Sequence, residues 1–209
     1  MSERLRVDPQ APEAAAVARA RAVLEAAGVV AAPTDTVYGL LANALSPRAV
    51  ARVYALKGRG FDKPLPVLVA SRAQARALAG ALPPSFERLA QAFWPGALTL
   101  VVPAAPSLPA TLTAGSGAVG LRHANLPLIA ALLEATGYPL TGTSANRSGA
   151  PDARTAGEVA AQLGVELDLI LDGGPAPGRE PSTVVALTGP RPLVVREGAI
   201  AASRLAAYF

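Results

Sequence analysis

Short runs of β-branched and aliphatic residues alternate with alanine-rich stretches of helical character along this chain. That alternation restricts the fold more than any other feature. Residues 12–27 read as a helix, with Pro12 at its start and Gly28 as a stop. VVAAPTDT (29–36) reads as a buried strand running into a loop. SPRAVARVYALKG (46–58) reads as a second helix, in which Ser46 suits the N-cap, Pro47 the first helical position and Gly58 the C-terminal stop. PLPVLVA (64–70) follows as a strand, then SRAQARALAG (71–80) and PPSFERLAQAFW (83–94) as helices. GALTLVVP (96–103), AVGLR (118–122) and PLTGTSAN (139–146) each hold a strand, with a helix at 125–137 between the last two. RTAGEVAAQLG (154–164) is a late helix, and LDLILDGG, STVVAL and PLVVRE close the chain as short strands. Alternation early and strands late predict an α/β or α+β layered domain with a mixed sheet. No shift in composition divides the chain, and 105–117 reads as a loop, so one domain over 1–209 is expected.

The residue inventory removes several chemistries. There is no cysteine and one histidine, His123. Thiol catalysis and disulfides are excluded, a zinc site lacks its usual ligands, and a Ser-His-Asp triad would have to use His123. No protein-held metal is expected. Net charge is +4, which suits an anionic ligand or nucleic acid, but the arginines are spread over helix-like segments and read mainly as solvated faces. No apolar run reaches about 18 residues, and Arg and Glu interrupt the N-terminal region before a signal-peptide core could form. A cytoplasmic protein with no membrane contact is expected.

Of 19 basic residues, 17 are arginine; the two lysines, Lys57 and Lys63, both fall in LKGRGFDKPL (56–65). A cation at a helix C-terminus is ordinary, but arginine would serve there equally. Lysine differs in offering a compact charge with three rotatable donors. Lys57, Arg59 and Lys63 therefore suit a polyphosphate cradle, with point charge and planar fork at different oxygens. PTDTVYGL (33–40) and TGTSANRSG (141–149) place hydroxyls and small residues at strand ends, the usual position of sites in open α/β sheets. GSGAVG (115–120) matches a dinucleotide fingerprint in letters only. An irregular segment precedes it and a strand follows, so it reads as a turn into that strand.

Taken in order, PTDTVYGL, KGR…DKPL, FWPGALTLVVP, TSANRSG, PSTVV and VVREGAI resemble the YrdC-like family of threonylcarbamoyl-AMP synthases over about residues 12–200. The resemblance implies a twisted mixed β-sheet flanked by helices around a deep basic cavity. It implies formation of L-threonylcarbamoyladenylate from L-threonine, bicarbonate and ATP, with pyrophosphate released. That product feeds N6-threonylcarbamoylation of tRNA adenosine 37 through a separate threonylcarbamoyl transferase complex, and tRNA or RNA contact belongs to the same expectation. Mg²⁺ would accompany ATP, held by phosphates and water, with no protein ligand identified.

Carried over by motif, the catalytic elements fall on Lys57, Arg59, Ser144 and Asn146. L-Threonine contacts fall on Thr36, Arg122, Ser144 and Ser182, with Arg122 on the carboxylate. ATP contacts fall on Lys57, Arg59, Lys63, Asn146, Arg154 and Arg196. Leu68 stands where archaeal members have histidine, Pro181 where glutamate is usual, and RHANLP replaces an Arg-x-Pro-x-His pattern. Ending at Phe209, the chain resembles the short bacterial form. Two other readings compete: an RNA-binding or ribosome-maturation protein using the basic cavity without catalysis, and a carbamoyl-phosphate enzyme like the related domain of hydrogenase maturation proteins. Few aromatics for base stacking and the lack of cysteine-rich segments weigh against them.

Overall fold

Helix boundaries follow local chemistry. In the computed structural model, which describes residues 2–58, 60 and 63–209, the helices are α1 (Ala14–Glu25), α2 (Pro47–Lys57), α3 (Arg72–Leu78), α4 (Pro84–Phe93), α5 (Ala110–Thr113), α6 (Pro127–Thr136), α7 (Ala156–Leu163) and α8 (Ala202–Leu205). The Ser46 hydroxyl accepts from Ala49 N, Pro47 opens α2, and Gly58 closes it in the left-handed region at φ 62°. Ser71 and Thr155 cap α3 and α7 in the same way. The segment expected to be irregular, 105–117, contains the short helix α5.

Strands are β1 (Glu3–Arg6), β2 (Val30–Pro33), β3 (Tyr38–Leu41), β4 (Val67–Leu68), β5 (Leu98–Pro103), β6 (Ala118–Arg122), β7 (Leu140–Thr141), β8 (Thr143–Ser144), β9 (Leu169–Asp172), β10 (Thr183–Ala186) and β11 (Leu193–Arg196). They form two mixed sheets flanked by helices, in the orders β1-β9-β2-β3-β8 and β11-β10-β5-β6-β4-β7. β1 and β3 have no counterpart in the sequence reading, which assigns no strand to 3–6 or 38–41. The stretch 139–146 supplies a strand to each sheet, β7 pairing with β4 and β8 with β3. Gly142 stands between them, and a Cβ there would lie 2.6 Å from Leu68 Cγ, so the crossing needs a residue without a side chain.

Alternation on each strand separates two apolar clusters. Val30, Ala32, Leu169 and Leu171 face α1 and α6. Ala31, Leu40 and Ile170 face the larger core, which also takes Leu98, Leu100, Val102, Val119, Leu121 and Val185 from the second sheet. The opposite face of that second sheet carries smaller and polar residues and floors a cavity. No helix among the described residues is long and apolar enough to cross a membrane.

Candidate functional site

The cavity encloses about 480 Å³, within the range of about 300–1,000 Å³ usual for small-molecule sites. Its floor is one face of three adjacent strands, through Thr99 and Val101 of β5, Ala118, Gly120 and Arg122 of β6, and Val184 and Ala186 of β10. The two-residue period brings these side chains to one face, and Ala, Gly and Thr leave room above them. β11 adds Val195 and Arg196, while the wall comes from Thr34, Thr36–Gly39, Lys63, Pro64, Pro66, Gly142–Ser144, Pro181 and Ser182. Three cations, Lys63, Arg122 and Arg196, line the space, and no carboxylate does so among the described lining residues.

Arg122 closes one end. Its Nε donates to Gly96 O at 3.1 Å, Nη1 to Thr36 Oγ1 at 2.9 Å and Nη2 to Asp35 Oδ1 at 2.6 Å. The Arg122 and Asp35 side chains are 6% and 13% exposed. A guanidinium carries five N–H donors, so one on each terminal nitrogen is left over, enough for two oxygens of a carboxylate. The threonine hydroxyls are ordered by their protons. Thr34 donates its proton to Val37 O at 2.7 Å, so Thr36 is the donor in its 2.9 Å contact with Thr34 and an acceptor toward Arg122.

Near Arg122 on the floor, Ser182 and Thr99 hydroxyls lie 2.8 Å apart, and Arg196 Nη2 donates to Ser182 O at 2.7 Å. Two hydroxyls share one hydrogen bond with a single proton, which leaves the second proton for a ligand acceptor. Burial and the nearby Arg122 charge lower the Arg196 pKa, while Asp152 acts in the opposite sense. Arg196 remains cationic, because its ordinary value lies far above neutrality.

Lys57, carried over by motif as a catalytic and ATP contact, stands behind the wall. Its side chain is buried, at 3% exposure, and is not among the cavity's lining residues. Nζ donates to Ser144 O at 2.7 Å, Asn146 O at 2.9 Å and Asn146 Oδ1 at 3.0 Å. Asn146 Oδ1 also accepts from Ser144 Oγ at 2.6 Å, and Nδ2 donates to Ala150 O at 2.6 Å. Lys57 thus fastens the Ser144–Asn146 turn from beneath, and Ser144 alone of the three reaches the cavity. Lys63 lines the cavity. Arg154 does not line it; Nε donates to Gly178 O at 3.3 Å. Arg59 lies outside the described residues. The structure therefore brings Thr36, Lys63, Arg122, Ser144, Ser182 and Arg196 to one cavity, with Lys57 and Asn146 behind its wall.

Thr34, Asp35, Thr99 and Gly178 escaped the sequence reading. Thr99 had a signal, as the polar member of an alternating strand between Leu98 and Leu100. Asp35 had a weaker one, as the single carboxylate in a run of hydroxyls. Gly178 had none, since its role depends on a loop-to-loop approach: a Cβ there would meet Thr36 Cα and O at 2.5 Å. His123, adjacent to Arg122, has its pKa lowered by burial, partly offset by the Asp35 carboxylate. Neutral imidazole is its form at pH 7. GSGAVG is a turn into β6, with Gly115 and Gly117 at positive φ.

The Sua5/YciO/YrdC family model, described as telomere recombination, matches residues 22–198. The chain is 40% identical over 201 residues to a threonylcarbamoyl-AMP synthase of Bacillus subtilis, covering 96% of this chain and 56% of that one. It is 39% identical over 177 residues to a threonylcarbamoyl-AMP synthase of Klebsiella pneumoniae, covering 83% of this chain and 93% of that one. The crystal structure of Pyrococcus abyssi Sua5 complexed with L-threonine superposes with a TM-score of 0.93 at 35% identity, covering 100% of this chain and 60% of that one. The chain spans little more than half the length of the Bacillus and Pyrococcus proteins. Matched by the family model over most of its residues and by relatives near 40% identity, the chain belongs to the Sua5/YciO/YrdC family.

Proposed function

We propose that this chain is an enzyme that forms L-threonylcarbamoyladenylate from L-threonine, bicarbonate and ATP. The observation that carries the reading is a cavity lined by Lys63, Arg122 and Arg196, with two N–H donors left over on Arg122, in a chain superposable on a threonine-bound relative. Arg122 would take the threonine carboxylate on its two remaining N–H groups. The amine nitrogen then bonds to the bicarbonate carbon with loss of water, giving a carbamate. A carbamate oxygen attacks the α-phosphorus of ATP, the bond from that phosphorus to the α–β bridging oxygen breaks, and pyrophosphate leaves with the electron pair.

No histidine base enters this scheme. Charge grows on phosphoryl oxygens, which fixed cations and hydroxyls stabilise, and alignment of two bound substrates supplies much of the rate. Lys63 and Arg196 are suited to the phosphates. Ser144, held through Asn146 and Lys57, is suited to positioning the reacting carbamate. The wall's donor set does not fit a protein-held Mg²⁺, for want of a lining carboxylate among the described residues; Mg²⁺ arrives with the ATP phosphates as part of the substrate, and no step is routed through it. The adenylate would pass to a transferase acting on tRNA adenosine 37.

The test is to follow pyrophosphate and adenylate from the purified protein with ATP and Mg²⁺, adding L-threonine and bicarbonate singly and together. Release that needs both supports the reading. A requirement for carbamoyl phosphate, or no turnover by folded protein, overturns it.

A further inference from the structure

The two cavity arginines differ in their surroundings. Arg122 is paired with Asp35 at 2.6 Å, and both side chains are nearly inaccessible. Arg196 makes no ion pair within 4 Å among the described residues; its hydrogen bonds go to Ser182 O and Oγ. Asp152 acts on it beyond ion-pair distance, favouring its charged form more than the Arg122 charge disfavours it. One guanidinium is therefore charge-compensated at contact and still has two N–H donors to offer, and the other has no ion-pair partner within 4 Å among the described residues. The two are near enough for the Arg122 charge to disfavour the charged form of Arg196.

We propose that Asp35 is a specificity-determining residue: by neutralising Arg122 it reserves that guanidinium for a zwitterionic amino acid and leaves polyphosphate to Arg196. A carboxylate on a molecule with its own ammonium or amine loses little when its partner arginine is neutralised, since the two hydrogen bonds remain. A triphosphate, with several negative charges, gains chiefly from uncompensated cations. Without the Asp35 charge, the cavity would present two full arginine charges, and phosphate would compete for both. This assignment rests on the reading of the substrates given above, and it concerns how they are kept apart.

The discriminating variant is Asp35→Asn, which keeps an oxygen acceptor for Arg122 Nη2 and removes the charge. L-Threonine affinity is measured by calorimetry with and without inorganic triphosphate, so that turnover is not needed. For the unaltered protein, triphosphate is expected to leave threonine affinity within about twofold. For Asp35→Asn it is expected to weaken threonine binding at least tenfold, competitively. Asp35→Glu, which keeps the charge, is expected to restore independence. Thr36→Val loosens Arg122 without altering charge, and is expected to weaken threonine equally with and without triphosphate. Equal weakening in Asp35→Asn, or triphosphate competition appearing in Thr36→Val or in the unaltered protein, overturns the proposal. Threonine binding without adenylate formation would sink the enzymatic reading and leave this comparison standing.

Discussion

On the cavity floor, Thr99, Gly120 and Val184 owe their places to strand register, while on the wall Thr36 and Asn146 owe theirs to side-chain hydrogen bonds from Arg122 and Lys57. The floor is redundant, because each residue is also held by a backbone ladder. The wall is not. One buried ammonium, that of Lys57, ties together three acceptors of the Ser144–Asn146 turn at the end of β8. Losing one side chain should therefore do much more damage on the wall than on the floor.

Lys57→Ala is the strongest way to break that contrast. Three acceptors lose a charged donor in a buried site, and each orphaned polar group costs roughly 1–3 kcal/mol. A loss of about 4 kcal/mol in urea unfolding is expected, together with at least about a hundredfold loss of adenylate formation. Full stability with lost turnover would mean that Lys57 acts on the triphosphate directly and not through the Ser144–Asn146 turn. Gly178→Ala ranks next. Its methyl would press on Thr36 Cα and on the Asp35 and Thr36 carbonyls, and overpacking of this kind costs about 2 kcal/mol. The same change should raise the threonine KM several-fold with little effect on that for ATP. A floor substitution, Thr99→Val, removes one hydroxyl–hydroxyl bond from a position whose shape and ladder are retained. About 1 kcal/mol of stability and a modest rise in threonine KM are expected. Should Thr99→Val prove as damaging as Lys57→Ala, the distinction between floor and wall fails.

The same contrast explains what the sequence could reveal. Ser46, Pro47 and Gly58 announce a helix because capping is local, involving residues three or four apart. β1, with the polar sequence Glu-Arg-Leu-Arg, is a strand only because it pairs with β9 more than 160 residues away, as the register Glu3 to Leu169 shows. β3 was hidden by its short hydroxyl-rich approach, since all four residues are buried and offer no alternation. Arg122, Ser182 and Thr36 were legible through an ordered set of motifs. That Lys57 points beneath the wall was not legible, because a lysine at a helix end gives no sign of which neighbouring turn its ammonium will reach.

His123 supplies the smallest and most local test. It sits beside Arg122 at the end of the floor, and burial holds its folded-state pKa below the ordinary value near 6.5. The sign follows from proton binding. Above about pH 6.5 both folded and unfolded chains carry neutral imidazole, and His123 contributes nothing to the pH dependence. As pH falls below that value the unfolded chain takes up a proton that the folded chain does not, so stability declines, by at most about 1.4 kcal/mol per pH unit. The decline from this residue ends once pH passes the folded-state value. His123→Gln should remove this limb and leave stability at pH 8 within about 0.5 kcal/mol, read from urea midpoints between pH 5 and 8. The backbone carbonyl of His123, which accepts from Gly96 N at 2.7 Å, is retained in that variant, so the floor's geometry is unchanged. An acid limb identical in both proteins would show that the imidazole titrates as if in water, and that the Arg122 end of the cavity is wetter than its buried ion pair implies.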